Sequence, residues 1–507
     1  MIFRSHSRTV KWNLIFRYTN IILAFVQGLL LVPLYLNYIP VEIYGAWLAS
    51  GNLLAWISTI DPGLTVVLSQ QVSTFYGKGK FEELGKIIAS GLILSSLVLI
   101  IALSFGFFSS FFLLDILNLS SDIDYLIILE AFKYAFIGAS LMLFSFSFSA
   151  INYGLQGSLS VGLINATTTI LSIILTITLL YYGYGLMAIV YSLVFSGFSL
   201  SICNFLYLLY RLYNEKIVIS FSLTRLIHLS KLLSFTFFSR ASGIISNNID
   251  LLLIQRFLGP ETVTSFALSK KSIDISKELV NQPVVAYQPV ISNLVGMNEI
   301  DKLRKMLSRL IIILTWTTIF IIGGMISLNS EFVSLWVGES FYIGSYINLI
   351  ICFSAFLMIF TQSAGYFSVS LGDIKKNSVA GALQSLLYIP LIYFGLKYFG
   401  LYGLVFAPII SMLVTSSWYY PISIQKLIKF SPNDIRTFIN QTLYSLISIM
   451  LLIIIFFFID IKSWMEFILS IILFSIIYFS SLFYLSRIFR IEARKNINLI
   501  LKKFNFL

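Results

Sequence analysis

The residues best placed to do chemistry crowd into one apolar run, 263–291: Lys270, Lys271, Asp274, Lys277 and Glu278. On a helix turning about 100° per residue, Lys270, Asp274, Lys277, Asn281 and Gln288 fall on one narrow stripe. Lys271 and Glu278 flank it. Two arrangements accommodate so much charge. One is a self-neutralising ladder, Lys270 with Asp274 at i+4 and Asp274 with Lys277 at i+3. The other is a stripe lining a water-filled cavity. Three bases against two acids leave one positive charge uncompensated, so the chemistry on offer is anion binding. Pro283 and Pro289 predict a bend.

The preceding run, 234–257, adds Arg240, Asn247, Asn248 and Asp250. A tight turn at Gly259-Pro260 sets Asp250 at about the depth of Lys270, and Arg240 near that of Lys277 to Asn281. Arg240 reads either as a cavity cation or as a side chain snorkelling to the surface. Asp250 reads either as a cavity carboxylate or as an ion-pair partner of Lys270 or Lys271. Near the N-terminus, Arg17, Asn20 and Gln27 share one side of the run 14–36, and snorkelling also suits Arg17. Asp61-Pro62-Gly63 interrupts the run 44–70. Asp before Pro reads as a cap followed by a first helical residue, restarting the helix at mid-span. Broken helices at membrane depth also mark transport sites.

The candidates therefore form two sets. Arg17, Arg240, Lys270, Lys271 and Lys277 suit an anionic substrate. Asp61, Asp250, Asp274, Glu278, Asn247 and Asn281 suit cation coupling or a polar cavity wall. Glu130 and Lys133 read as a structural i, i+3 pair, Arg256 as an interfacial anchor, and Gly157 and Gly372 as equivalent turn or packing glycines. Other chemistries lack their residues. His6 and His228 are the only histidines, so no His-based metal site or catalytic dyad is expected, and no cofactor. There is no Walker loop. Cys203 and Cys352 lie inside apolar runs and imply no disulfide.

The elements that must position these residues follow from composition. The chain has 507 residues, 58% hydrophobic and only 11% charged. Soluble chains are about 25% charged, and disordered ones are richer still in charge. An all-α polytopic membrane protein remains. Fourteen apolar runs are expected as transmembrane helices: 14–36, 44–70, 87–114, 125–153, 161–181, 186–210, 234–257, 263–291, 307–328, 344–370, 377–397, 401–424, 438–459 and 465–486. No strand alternation suits a barrel.

The net charge is +12, with the basic residues spread through short inter-helix segments. That distribution reads as topology, not nucleic-acid binding. With the N-terminus cytoplasmic, the inner segments carry nearly all Lys and Arg, and the outer loops only Lys397 and Lys462. Both termini are therefore expected to be cytoplasmic. No outer loop is large enough to hold an enzyme's catalytic domain.

The chain also repeats itself. Tyr38-Ile39-Pro40 matches Leu258-Gly259-Pro260, Gly77 to Leu84 matches Gly296 to Leu303, and Gly183 to Leu186 matches Gly400 to Leu404. The offsets are all close to 220 residues. Six helices per copy give both copies one orientation, a parallel pseudo-repeat with a site expected between lobes at mid-membrane. The expected division is an N-lobe at 1–210, a cytoplasmic linker at 211–233, a C-lobe at 234–424, and two further helices with a basic tail at 425–507.

Pro33-Leu34-Tyr35-Leu36, Ile39-Pro40-Val41-Glu42-Ile43-Tyr44-Gly45-Ala46-Trp47 and Ile60-Asp61-Pro62-Gly63-Leu64 resemble the start of the Wzx-type flippases. Leu258-Gly259-Pro260-Glu261-Thr262-Val263 is similar to the motif opening their second half. After Asp61 this chain has Pro62, where the family usually has an aliphatic or aromatic residue. The resemblance implies the exporter superfamily fold, two six-helix lobes in a V plus two C-terminal helices. It also implies alternating access without an enzymatic step, in the bacterial inner membrane. The implied substrate is an undecaprenyl-pyrophosphate-linked oligosaccharide for O-antigen, lipopolysaccharide or capsule. Membrane lipids, a polysaccharide polymerase and a chain-length regulator are the implied partners, with a monomer as the transport unit. Readings kept open beside it are a lipid II-type flippase, a multidrug/cation antiporter of the same superfamily, and a membrane polymerase or ligase.

Overall fold

The computed structural model describes residues 30–55, 64–117, 125–231, 249–296, 299–456 and 459–494, with a few isolated positions before residue 30 and at 233. These residues are helical almost throughout, and no strand occurs among them. A backbone in hydrocarbon must satisfy its own amides, and a helix does so within one segment. Helices α1 (Val41–Ala55), α2 (Leu64–Gly77), α3 (Phe81–Leu117), α4 (Tyr125–Gly154), α5 (Ser158–Tyr181), α6 (Leu186–Asn214) and α7 (Asp250–Leu258) make the first half. Helices α8 (Pro260–Gly296), α9 (Ile300–Trp336), α10 (Ser345–Ser370), α11 (Ile374–Val414), α12 (Ser416–Ile428), α13 (Pro432–Phe456) and α14 (Trp464–Leu485) follow. Among the described residues, nine helices are long and apolar enough to cross a membrane. Phe107, Phe108, Phe111 and Phe112 of α3 all stand exposed, as side chains facing lipid do. The chain is a multi-pass membrane protein.

Several helices outrun the apolar runs that announced them. The run 307–328 is the middle of α9, which extends over Ile300–Trp336 and carries Asp301, Lys302, Arg304, Lys305 and Arg309 in its first ten residues. The helix continues where the bilayer core ends, so apolarity marks only its centre. The reversal between 397 and 401 is present inside α11, where Gly400 adopts φ 58°, ψ −142°. The two arms then meet closely: a Cβ on Gly403 would lie 2.0 Å from the Gly395 carbonyl oxygen. The run 401–424 is not one helix. It breaks at Thr415 (φ −119°, ψ −80°), and Pro421 lies inside the helix that follows.

Packing divides the chain into Met1–Thr264 and Ser265–Leu507. In the first unit, Leu68, Ile87, Ile151 and Leu208 form a core together with Ile217, Leu229 and Leu233 of the segment after α6. Helices α4 and α6 cross where small residues allow backbone contact: a Cβ on Gly197 would lie 2.3 Å from the Gly138 oxygen. Ser201 Oγ donates to the Leu141 carbonyl (2.8 Å) and Asn152 Nδ2 to that of Asn204 (2.9 Å) at the same seam. In the second unit, α13 and α14 close on α9. Tyr478 donates to the Trp316 carbonyl (2.9 Å), and Gln441 Oε1 accepts from Trp316 Nε1 (3.2 Å) and Ser486 Oγ (2.6 Å).

A charged ladder and amide network on one helix

Helix α8 starts after Gly259, whose φ of 87° lets the chain leave α7, and Pro260 takes the first helical position. Its first turns are fixed by a buried polar network. Asn329 Nδ2 donates to the Ser269 carbonyl (2.9 Å) and to Asn348 Oδ1 (2.8 Å), while Ser272 Oγ donates to Asn329 Oδ1 (2.5 Å). Ser269 Oγ donates to the Phe341 carbonyl (3.1 Å) and accepts from the Ile343 amide (2.9 Å). One amide from α9, one from α10 and the turn between them thus set the rotation of α8. The charged stripe lies immediately beyond.

Asp274 is the hub of that stripe. Lys277 Nζ lies 2.9 Å from Asp274 Oδ1, and Lys270 Nζ lies 3.8 Å from Asp274 Oδ2. Both pairs of the expected ladder therefore exist, and Lys277 holds the shorter link. Lys270 also sits over the Phe266 ring at 5.5 Å. Lys277 reaches Met358 Sδ at 3.5 Å, and one turn on Asn281 Nδ2 donates to Gln362 Oε1 at 3.0 Å. Ser363 Oγ donates to Asn281 Oδ1 (3.0 Å). Met358 and Gln362 of α10 thus read Lys277 and Asn281 of α8 at the same four-residue interval.

The ladder is satisfied without being sealed. The side chains of Lys270, Asp274 and Lys277 keep 28%, 41% and 15% of their accessible surface. Lys271 and Glu278 are exposed and form no ion pair among the described residues. Such an arrangement can exchange a carboxylate for an incoming anion, because a lysine ammonium is a point charge with three donors and no fixed fork geometry.

The other candidates separate. Arg17, Asp61, Arg240 and Asn247 lie outside the described residues, as do Asn20 and Asn248. Asp250 opens α7, buried, and its Oδ1 accepts from the Leu251 amide (2.9 Å). Arg256 donates to the Asp115 carbonyl (3.1 Å). Glu130 and Lys133 are both exposed and not bridged to one another. Both face outward near a helix end, where solvation competes with pairing. No group of His, Cys, Asp or Glu that could hold a metal occurs among the described residues. The neutral partners, Ser269, Ser272, Asn329, Asn348, Gln362 and Ser363, escaped a search built on charge. The signal available for them was an amide inside an apolar run.

Residues 159–343, which contain the whole of α8, match a family model described as polysaccharide biosynthesis protein. Comparison with curated protein sequences found no matching relative. Among solved structures, the lipid II flippase MurJ in an inward closed conformation is similar at TM-score 0.68 and 19% identity, over 93% of this chain and 98% of that one. A mutant of the Vibrio cholerae MATE transporter VcmN is similar at TM-score 0.60 and 15% identity, over 85% of this chain and 100% of that one. An inward-facing multidrug resistance MATE family transporter of the MOP superfamily gives TM-score 0.61 and 16% identity, over 79% of this chain and 94% of that one. The chain has the exporter fold that these structures share.

Proposed function

We propose that this protein is a flippase of the Wzx type, moving undecaprenyl-pyrophosphate-linked oligosaccharide repeat units across the bacterial inner membrane by alternating access. The observation that carries the reading is the net-positive face of α8, whose ladder side chains keep accessible surface, set within the segment that matches the polysaccharide biosynthesis family. A pyrophosphate or an acidic sugar needs cations it can reach, and Lys270, Lys271 and Lys277 supply them. No covalent chemistry is asked of the protein. With both termini cytoplasmic, an inside-negative potential favours outward movement of an anion by about 2.3 kcal/mol per charge per 100 mV. Asp61, Asp250, Asp274 and Glu278 are the carboxylates available for cation coupling. A polysaccharide polymerase and a chain-length regulator would act on the translocated unit.

Deleting the gene should trap lipid-linked repeat units on the cytoplasmic leaflet and abolish surface polysaccharide. Normal surface glycan in a strain without a second flippase would refute the reading. The likeness to MurJ supports a second reading, a lipid II flippase. Depletion would then arrest peptidoglycan synthesis and spare the surface polysaccharide. The surplus of lysine over carboxylate within residues 270–278 of α8 speaks against an exporter of cationic drugs.

A further inference from the structure

A second feature lies along α10, meeting the stripe's network only at Ser363. A cavity of about 720 Å³ opens among α9, α10, α12 and α13, a size that takes a drug-sized apolar molecule. Leu357, Phe360, Ala364 and Phe367 of α10 line it, spaced i, i+3, i+7 and i+10 on one side of that helix. Met358 and Gln362, which meet the charged stripe, are absent from the lining, while Ser363 lines it and also bonds Asn281 of the stripe. Ile311 and Leu314 of α9 and Phe438 of α13 complete the apolar wall. Ile422 of α12 and Ile435 of α13 also line it and are exposed, so the cavity opens toward surrounding lipid.

The polar end is built differently. Gln425 lines the cavity, but its amide is committed to the turn after α12, donating to the Phe430 carbonyl (3.1 Å) and accepting from the Phe430 amide (3.1 Å). That leaves Lys426 as the one charged lining residue. Lys429 and Arg436 follow in the turn and the first residues of α13, while Asp434, the acid between them, is bound by Ser431. An apolar cavity open to the bilayer, with an ammonium at the end where the helices leave the membrane, is complementary to a lipid with a long chain and an anionic head.

We infer that this cavity binds one acyl chain of an anionic glycerophospholipid, whose phosphate meets Lys426. Because it opens to lipid at Ile422 and Ile435 and its one charged lining residue is Lys426, not a lysine of the stripe, its occupant is a resident bilayer lipid, not the tail of a transported substrate. The inference does not depend on what the protein transports.

The test uses the full-length protein, reconstituted in nanodiscs of phosphatidylglycerol and phosphatidylcholine with identical chains, then released for native mass spectrometry. Wild type should retain phosphatidylglycerol over phosphatidylcholine by about tenfold, the scale of one charge-assisted hydrogen bond. Lys426→Ala should lose that preference. Ala364→Trp, which fills the cavity, should lose the retained lipid altogether. Ile422→Trp at the exposed mouth is the second blocking variant, in case Ala364→Trp fails to fold. Equal retention of both lipids by wild type, or undiminished retention by a folded Trp variant, would overturn the inference. So would displacement of phosphatidylglycerol by an equimolar long-chain polyprenyl phosphate. Normal surface glycan in a deletion strain without a second flippase, with the purified protein still retaining the lipid, would count against the transport reading alone.

Discussion

Replacing Lys277 by Ala separates a structural ladder from an anion site, and the geometry sets the sizes. Lys277 is held by Asp274 at 2.9 Å, with 15% of its side chain accessible, and Asp274 keeps Lys270 at 3.8 Å when Lys277 is gone. Asp274 is itself 41% accessible, so the pair is worth nearer the ~1 kcal/mol of a solvated ion pair than the cost of breaking a buried one. As a purely structural change, Lys277→Ala should lower abundance and export modestly and in parallel. If Lys277 meets a substrate phosphate, a charge-assisted contact of about 1.5–3 kcal/mol is lost. Export per molecule should then fall by about one to two decades at normal abundance, and Lys277→Arg should retain much of it. The double variant Asp274→Asn/Lys277→Ala decides further. A structural ladder is weakened further there, because Lys270 also loses the Asp274 carboxylate and abundance falls below that of Lys277→Ala. At an anion site Lys270, released from Asp274, meets the substrate instead, so export per molecule recovers in part, and Asp274→Asn alone should tighten substrate binding by removing a competing carboxylate. The assay is surface glycan against membrane-inserted protein for each variant. Wild-type export from Lys270→Ala, Lys271→Ala and Lys277→Ala, or a parallel fall of abundance and export in the double variant, would refute the reasoning.

Gly197→Leu should cost about 1–3 kcal/mol through overpacking, because its Cβ would meet the Gly138 backbone oxygen at 2.3 Å; the folded fraction on size exclusion should drop. In an otherwise cysteine-free protein, Lys397→Cys and Lys462→Cys should react with an impermeant thiol reagent in intact cells, while Lys80→Cys and Lys302→Cys should not; the reverse pattern would overturn the topology. Burial tends to raise the pKa of Asp373, but hydrogen bonds from Ser423 (2.5 Å) and Tyr419 (2.8 Å) outweigh it and hold the carboxyl below its usual range. A depressed value in the fold means stability that is fully present above the unfolded value of about 3.9 and lost as pH falls through the folded one. Thermal melting on acidification should show this loss, and Asp373→Asn should weaken it.

Legibility followed the physics of each signal. Apolarity located the centres of α3 to α6 and α9 to α14, because hydrocarbon demands it, and the reversal at Gly400 showed as a break in a run. The ends of α9 and the break at Thr415 did not show. A charged helix end and a connecting loop have the same composition, and a backbone kink inside an apolar run leaves hydropathy unchanged. Helix α8 is the instructive case. Its periodicity placed Lys270, Asp274, Lys277 and Asn281 on one face, but a closed ladder and an open cavity wall require the same spacing. Only distances show that the ladder is formed, and its side chains keep part of their accessible surface. The amides that fix its rotation, Asn329 and Asn348, carry no charge and left no periodic trace.

The repeat is legible in outline and shifted in detail. Gly157 and Gly372 look equivalent in sequence, yet the left-handed residue of the first loop is Gln156 (φ 64°), and that of the second is Gly372 (φ 98°). The N-caps of α5 and α11 are therefore Gly157 and Asp373, one residue later than the glycine match suggests. Packing explains the exchange. A Cβ on Gly157 would lie 2.9 Å from the Tyr207 ring, so no side chain fits, and that loop is tied down by Arg211, which donates to the Leu155 carbonyl (2.6 Å). In the second half the cap carries a carboxylate, and α12 answers with two hydroxyls, Tyr419 and Ser423. One loop is fastened by a cation on a backbone oxygen, the other by an anion under hydroxyls. Arginine stays charged at any accessible pH, whereas a carboxylate does not, so acid loosens only the second fastening. Two loops matched in sequence thus respond differently to pH, one fastened by Arg211 and the other by Asp373.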